Sequence, residues 1–283
     1  MSVSAGYHKI SAEEYHADCC VVPSLSCTVA KVLLRESPRK AWHVHPRLNP
    51  AYSESHDGKF DLGEAAHGVL LENDKSKVVI VDAADWRTNA AKQARGDAYA
   101  AGKTPLLKRH WEAVMTMVGI ADNFIKNSEI ADFWQGGESE VTGVCHEKQT
   151  WLRCRFDRIT ENRRFIIDYK STEDASPEGF SRQIIRMGYF LQEAFYRRVA
   201  RNLGHTGARF VFLAQSVEPP HECSLHDCHP GLQEIGDAAI EHAIRLWRQC
   251  MTTKEWPSYG GRVHSAMPTS YLLAEHEMRM ADD

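Results

Sequence analysis

Past Gly136-Gly137 the hydrophobic period of this 283-residue chain changes from helical to extended, and that change limits what the chain can fold into. Before it, Leu107, Trp111, Val114, Met115, Val118, Ala121 and Ile125 recur every three or four residues. This spacing predicts a long amphipathic helix to about Asn127, with Thr104-Pro105 as its start. After it, segments 139–147 and 150–160 read as an antiparallel pair turning near Glu147-Lys148. In the second segment Leu152, Cys154 and Phe156 alternate with Arg153, Arg155 and Asp157, so a period of two separates a core face from a polar face. Glu161-Asn162-Arg163 makes the next turn, and Phe165-Ile166-Ile167 is the apolar run of a strand covered on both sides, ended by Asp168-Tyr169-Lys170.

The flanking segments are helical. Ser24 and Ser26 are placed to cap a helix over 27–36, which Ser37-Pro38 ends, and a further turn precedes Pro46. Residues 48–59 read as a loop, 61–72 as a helix carrying His67, and 77–82 as a short strand. Segment 87–103 shows no buried stripe. A single helix is expected over 177–201, then strands at 208–214 and 221–225. His229-Pro230 opens a last helix with Leu232, Ile235, Ala239, Ala243, Leu246, Trp247 and Cys250 inside. Beyond Pro257 loop and extended coil are expected.

A hydrophobic content of 43% over this length supports one domain, 1–283, with a helical part at 22–128, a sheet and helix at 138–215 and a closing strand and helix at 216–283. No run approaches the roughly 18 apolar residues of a membrane helix, and no basic segment leads into an apolar one near the start, so a cytoplasmic protein is expected. The eight cysteines are scattered and read as reduced thiols. A net charge of −4 excludes coating of nucleic acid by general attraction. Contact with DNA then needs a local basic surface. Candidates are Lys31, Arg35, Arg39, Lys40 and Arg47, or Arg182, Arg186, Arg197, Arg198 and Arg201.

The chemistry concentrates at Asp157 and, eleven residues later, Asp168-Tyr169-Lys170. Residues two apart on a strand leave the sheet on one face, and the tight turn makes the two strands neighbours, so two carboxylates and a lysine converge. Buried carboxylates held close repel by several kcal/mol at an effective dielectric of about 20 unless a cation lies between them. Hard oxygens with room for water suit Mg²⁺, with Mn²⁺ as a substitute. Lys170 then orients a water, takes its proton or neutralises charge. The same residues also fit an ordinary ion pair between strands, Asp157 with Lys170, with Asp168 capping a turn.

The stretch resembles the PD-(D/E)XK nucleases, and within them the RecB-like and RecE-like exonucleases, where a hairpin supplies the first Asp and the next strand supplies D-x-K. The likeness extends to 63–72, Gly-Glu-Ala-Ala-His-Gly-Val-Leu-Leu-Glu, to Gln192-Glu193-Ala194-Phe195-Tyr196, and to the opening Leu25-Ser26 through Pro50, so it spans roughly 22–200. It implies an α/β fold with a restriction-endonuclease-like core, a central mixed sheet flanked by helices. It further implies His67, Asp157, Asp168 and the Tyr169 backbone carbonyl as metal ligands, with Glu140 as an added acid and Gln192 and Tyr196 facing the site. Arg35, Arg182 and Arg186 are the candidates for the DNA backbone. The activity implied is 5′ to 3′ exonuclease action on double-stranded DNA in recombination or repair, in a ring-shaped homo-oligomer of phage or bacterial type, with a single-strand annealing protein as partner. An endonuclease with the same site and a non-catalytic DNA-binding scaffold are the alternatives. An iron–sulfur cluster is not expected, because Cys223 and Cys228 are the only close late pair.

Overall fold

The computed structural model describes residues 2–53 and 61–281. The chain opens with β1 (Gly6–His8), α1 (Ala12–His16), β2 (Leu25–Ser26), α2 (Cys27–Arg35) and α3 (Pro38–His43). Ser26 caps α2 through Val29 N–H, as its position in the sequence suggests, whereas Ser24 donates to Asp18 instead, and Ser37, read as the end of the first helix, caps α3 through Lys40 N–H. The short strands β1 and β2 are too brief to show a period. Of the loop expected over 48–59, residues 54–59 lie outside the described residues.

Next come α4 (Asp61–Glu72), β3 (Val78–Val81), α5 (Asn89–Ala100), β4 (Thr104–Leu107), α6 (Lys108–Lys126) and α7 (Ala131–Gln135). Thr104-Pro105 does not start the long helix. It lies in β4, parallel to β3, with Thr104 N–H donating to Lys77 O at 2.8 Å and Pro105 opposite Val79. Alternate residues of a strand turn their N–H groups to opposite edges, so the missing N–H of Pro105 faces away from the partner. Segment 87–103, which shows no stripe, is α5, capped by Thr88.

The second half holds β5 (Gly137–Glu147), β6 (Thr150–Thr160), β7 (Phe165–Thr172), α8 (Pro177–Met187), α9 (Tyr189–Asn202), β8 (Arg209–Ser216), β9 (Cys223–His226), α10 (Pro230–Thr253) and α11 (Ser270–Ala281). The β5–β6 hairpin turns at Lys148 and Gln149, both with positive φ, which matches the twist of the flanking strands. β7 runs past Asp168-Tyr169-Lys170 to Thr172. The helix expected over 177–201 is two helices, broken at Gly188 (φ 65°). Ile235 is 60% exposed rather than inside, because α10 turns Gly236, Ile240 and Ala243 inward. The expected coil after Pro257 contains α11, where Leu272 N–H is capped by Thr269 and Arg279 pairs with Glu275.

The main sheet has the order β1-β5-β6-β7-β8-β9, with β2 alongside β6. β7 and β8 are parallel, while β5–β6, β6–β7 and β8–β9 are antiparallel. Side chains from α2, α8, α9 and α10 pack on one face against Phe156, Ile159, Ile166, Phe210 and Phe212. α4 and α6 pack on the other face against Ile167, Tyr169, Val211 and Leu213. Helices on both faces of a mixed sheet are the α/β arrangement anticipated above.

The polar face of β6 is not a solvent face. Arg153 is 3% exposed. It reaches Asp18 at 3.2 Å and donates to Ser24 O and Tyr15 O. Asp18 also accepts from Ser24 N–H and from the Ser24 hydroxyl. The paired charge is therefore buried with its hydrogen bonds satisfied.

Candidate active site

β6 and β7 pair only at Arg158–Ile167 and Ile159–Ile166, after which β7 departs along β8. Phe156 and Ile159 point into the same core, although residues three apart on a regular strand face opposite sides, so β6 turns over at 157–158. Opposite this point Glu140 takes φ 54°, left-handed for a residue with a side chain. The site is built in the gap so opened.

Asp157 Oδ2 accepts the Tyr169 N–H at 2.9 Å, taking the place of the backbone acceptor that β6 no longer offers. A strand residue turns its N–H and C=O to the same edge, so the Tyr169 carbonyl faces this gap as well. Asp168 is fully buried on the α9 side. Gln192 Nε2 donates to its Oδ1 at 2.6 Å, and the Lys170 ammonium pairs with its Oδ2. From α4, His67 Nε2 lies 3.2 Å from Asp157 Oδ2, and Nδ1 lies 3.7 Å from Glu140 Oε1. α4 comes this close to the sheet because Gly63 faces Ser171, where a Cβ would stand 2.4 Å from Oγ.

The electrostatics follow from burial and crowding. Burial raises the Asp168 pKa, and the charge of Asp157 raises it further, against the pull of Lys170, to about 6. Burial works against the charged form of Asp157 too, but His67, Lys170 and the Tyr169 N–H outweigh it and hold the pKa below the usual carboxylate value. For His67 the carboxylates of Asp157 and Glu140 overcome burial and lift the pKa to about 8. Burial and Asp157 push Glu140 up. Burial opposes the Lys170 charge, but Asp168 and Asp157 overcome it and the pKa rises. Excess negative charge is thus the governing feature of this gap.

That excess fits a divalent cation. One atom each from His67, Glu140 and Asp157 lies within 4.8 Å of the others. Glu140 Oε1 is a buried oxygen with no hydrogen-bond donor, and Asp168 Oδ2, also buried, meets the Lys170 ammonium. Buried acceptors are normally satisfied, so an orphan oxygen on an acid of this crowded gap marks a place for a cation. Glu140 is turned to this position by Arg155, which pairs with its Oε2 and donates to Ile10 O.

Of the residues singled out from the sequence, the structure brings together His67, Glu140, Asp157, Asp168, Tyr169, Lys170 and Gln192. Tyr196 lines a cavity of about 480 Å³ together with His67, Glu140 and Asp157, but its ring belongs to the aromatic core, edge-on to Phe156 and Phe210. The three arginines lie apart. Arg35 donates to the carbonyls of Arg186 and Ile185 at 3.2 and 3.4 Å, Arg182 pairs with Asp174 at 3.9 Å, and Arg186 is exposed. Two neighbours were not among the site residues read from the sequence, where Tyr189 counts as a packing residue on the Gln192 face. Arg155 sits two residues before Asp157, where the period of two already places it on the same side. Tyr189 lies three residues before Gln192, with the Lys170 ammonium 5.3 Å from its ring centroid.

The family model of a PDDEXK-like domain of unknown function, DUF3799, matches residues 27–267. No curated protein matches the sequence. Among solved structures, a protein named "Putative exonuclease" from Eubacterium rectale is similar at TM-score 0.62 and 12% identity, over 94% of this chain and 98% of that one. At that identity the likeness shows the fold. A structure named SSO0001 covers 73% of this chain and 98% of its own at 12% identity, with a TM-score of 0.28 that carries no argument. With the family model matching most of its length, and with the D-x-K strand and its acidic neighbours at one gap in the sheet, this chain belongs to the PDDEXK-like domain family.

Proposed function

We propose that this protein is a divalent-metal-dependent deoxyribonuclease that hydrolyses phosphodiester bonds from the ends of double-stranded DNA in the 5′ to 3′ direction. The observation that carries the reading is the meeting of Asp157, Asp168, Lys170 and His67 where β6 and β7 part. His67, Glu140 and Asp157, with Asp168 and the Tyr169 carbonyl beside them, would hold Mg²⁺ or Mn²⁺. Such an ion supplies charge neutralisation at a phosphoryl oxygen and a lowered pKa for bound water.

The remaining work falls to the chain itself. Lys170, held against Asp168, is placed to position a phosphate oxygen or the attacking water, or to take the water's proton. Gln192 fixes the Asp168 carboxylate through its 2.6 Å bond, leaving Oδ2 toward Lys170. Arg155 holds Glu140 in its left-handed turn. We read 1–283 as one working unit, a reading supported by β1 pairing with β5 and by α10 packing with α2 and α9 in one core. Direction, a ring-shaped oligomer and an annealing partner rest on the family resemblance.

The test is digestion of linear duplexes labelled at the 5′ or the 3′ end, beside covalently closed circles, with Mg²⁺ and Mn²⁺. Exonuclease action releases 5′ label first and leaves circles intact. Cutting of circles shifts the reading to an endonuclease, and 3′ label released first overturns the direction.

A further inference from the structure

Lys31 of α2 holds its ammonium 5.4 Å from the ring centroid of Tyr189, the ring that Lys170 approaches to 5.3 Å. A tyrosine face attracts a cation through its quadrupole, and here one ring draws two like charges together beside the acidic gap. Lys170 has a counter-charge in Asp168. Lys31 has no ion pair with a carboxylate among the described residues. It is half-buried, and burial holds its pKa below the ordinary lysine value. A partly desolvated ammonium next to a like charge is unfavourable until an anion reaches it.

The cations also form a series. Arg35 follows Lys31 by one helical turn and so shares its side of α2. Its guanidinium is tied to the C-terminal carbonyls of α8. Exposure grows from Lys170, 18% exposed in its side chain, through Lys31 to the exposed Arg35, so the series leads outward from the site. A nucleic-acid strand presents one negative charge per phosphate, and a row of separate cations is the surface that follows it.

We infer that Lys31 grips the phosphate next to the scissile one, with Tyr189 holding the Lys31 and Lys170 ammonium groups against adjoining phosphates of one strand. The inference rests on the nuclease reading and assigns the residue that guides the strand beyond the reacting bond.

Two measurements test it. The first is fluorescence anisotropy of a labelled single-stranded oligodeoxynucleotide in EDTA, which needs no cutting. The second is turnover of bis(p-nitrophenyl) phosphate with Mn²⁺, a diester with no neighbouring phosphate. Lys31→Met removes the charge and keeps the apolar stem, and Lys31→Arg restores the charge. The expected result for Lys31→Met is oligonucleotide binding weakened roughly 5- to 10-fold, and a slope of log affinity against log salt reduced by about 0.7, the value for one phosphate contact on a single strand. Lys31→Arg recovers most of the binding, and turnover of the small diester stays within about twofold of wild type for a residue that meets only the neighbouring phosphate. Unchanged oligonucleotide affinity in Lys31→Met, or no binding by wild type, overturns the inference. So does an equal loss on the small diester, which would put Lys31 on the scissile phosphate itself. Wild-type protein that binds DNA but hydrolyses neither substrate overturns the nuclease reading, whereas the binding arm alone decides whether Lys31 holds a phosphate.

Discussion

Replacing Gly188 with alanine tests how the chain delivers Tyr189 and Gln192 to the site. Gly188 ends α8 and begins α9 at φ 65° and ψ 39°. An L-residue with a Cβ pays roughly 1–2 kcal/mol in this left-handed region. The new Cβ would stand 2.4 Å from Arg35 Nη2 and 2.8 Å from Cζ, so the guanidinium must move. Being the free end of a flexible chain, it moves cheaply, and the loss is its hydrogen bonds to the Arg186 and Ile185 carbonyls. Both are long and solvent-facing, worth about 0.5 kcal/mol each. The substitution should cost about 2.5 kcal/mol in all, and lower the melting temperature by about 5–10 °C. Urea unfolding of Gly188→Ala, Arg35→Ala and the double variant separates the two contributions. In the Arg35→Ala background only the backbone part remains, so the coupling energy should be about 1 kcal/mol. A cost below about 0.5 kcal/mol for Gly188→Ala would refute the conformational argument. An equal cost in both backgrounds would refute the role given to Arg35.

Two further outcomes are expected. Asp18→Asn leaves the buried Arg153 guanidinium without its counter-charge and should destabilise by about 3–5 kcal/mol in urea unfolding. Burial raises the Asp18 pKa, but hydrogen bonds from His45 and Ser24 and the Arg153 charge outweigh it and hold it below the ordinary aspartate value of 3.8. Its contribution to stability is thus full above pH 3.8 and is lost as pH falls through the depressed value, so wild type and Asp18→Asn should converge in strong acid. A gap that stays constant down to the lowest pH would contradict this. At Glu140, glycine accepts φ 54° and alanine does not, so Glu140→Gly should be more stable than Glu140→Ala by about 1 kcal/mol, although both lack the carboxylate. Equal midpoints would show that the turn at 140 carries no strain.

What the sequence reveals about this fold depends on whether neighbours in space are neighbours in the pattern. The β5–β6 hairpin and β7 are legible because alternation and tight turns are local, and Asp157, Asp168 and Lys170 follow from them. The turn-over of β6 at 157–158 is not legible, since Ile159 obeys the wrong parity only once the Glu140 kink is known. Thr104-Pro105 carries a helix-start signature that the β3 partner overrides through tertiary pairing. Gly188 reads as one tolerated glycine in a helical stretch until Arg35, about 150 residues away in sequence, is seen to occupy the space a side chain would need. Lys31 is one of several basic candidates in the sequence, and only the placement of Tyr189 beside it sets it apart.

Single-turnover digestion of an end-labelled linear duplex asks whether the acidic gap binds a cation and cuts DNA. Wild-type protein should degrade the duplex with Mg²⁺ or Mn²⁺, and EDTA should stop it. Asp168→Asn should bind the same duplex within about threefold yet cut at least about 10³-fold more slowly, the loss expected when several kcal/mol of charge stabilisation is removed. A duplex left intact by wild type with both ions, or an Asp168→Asn variant as fast as wild type, would contradict the account.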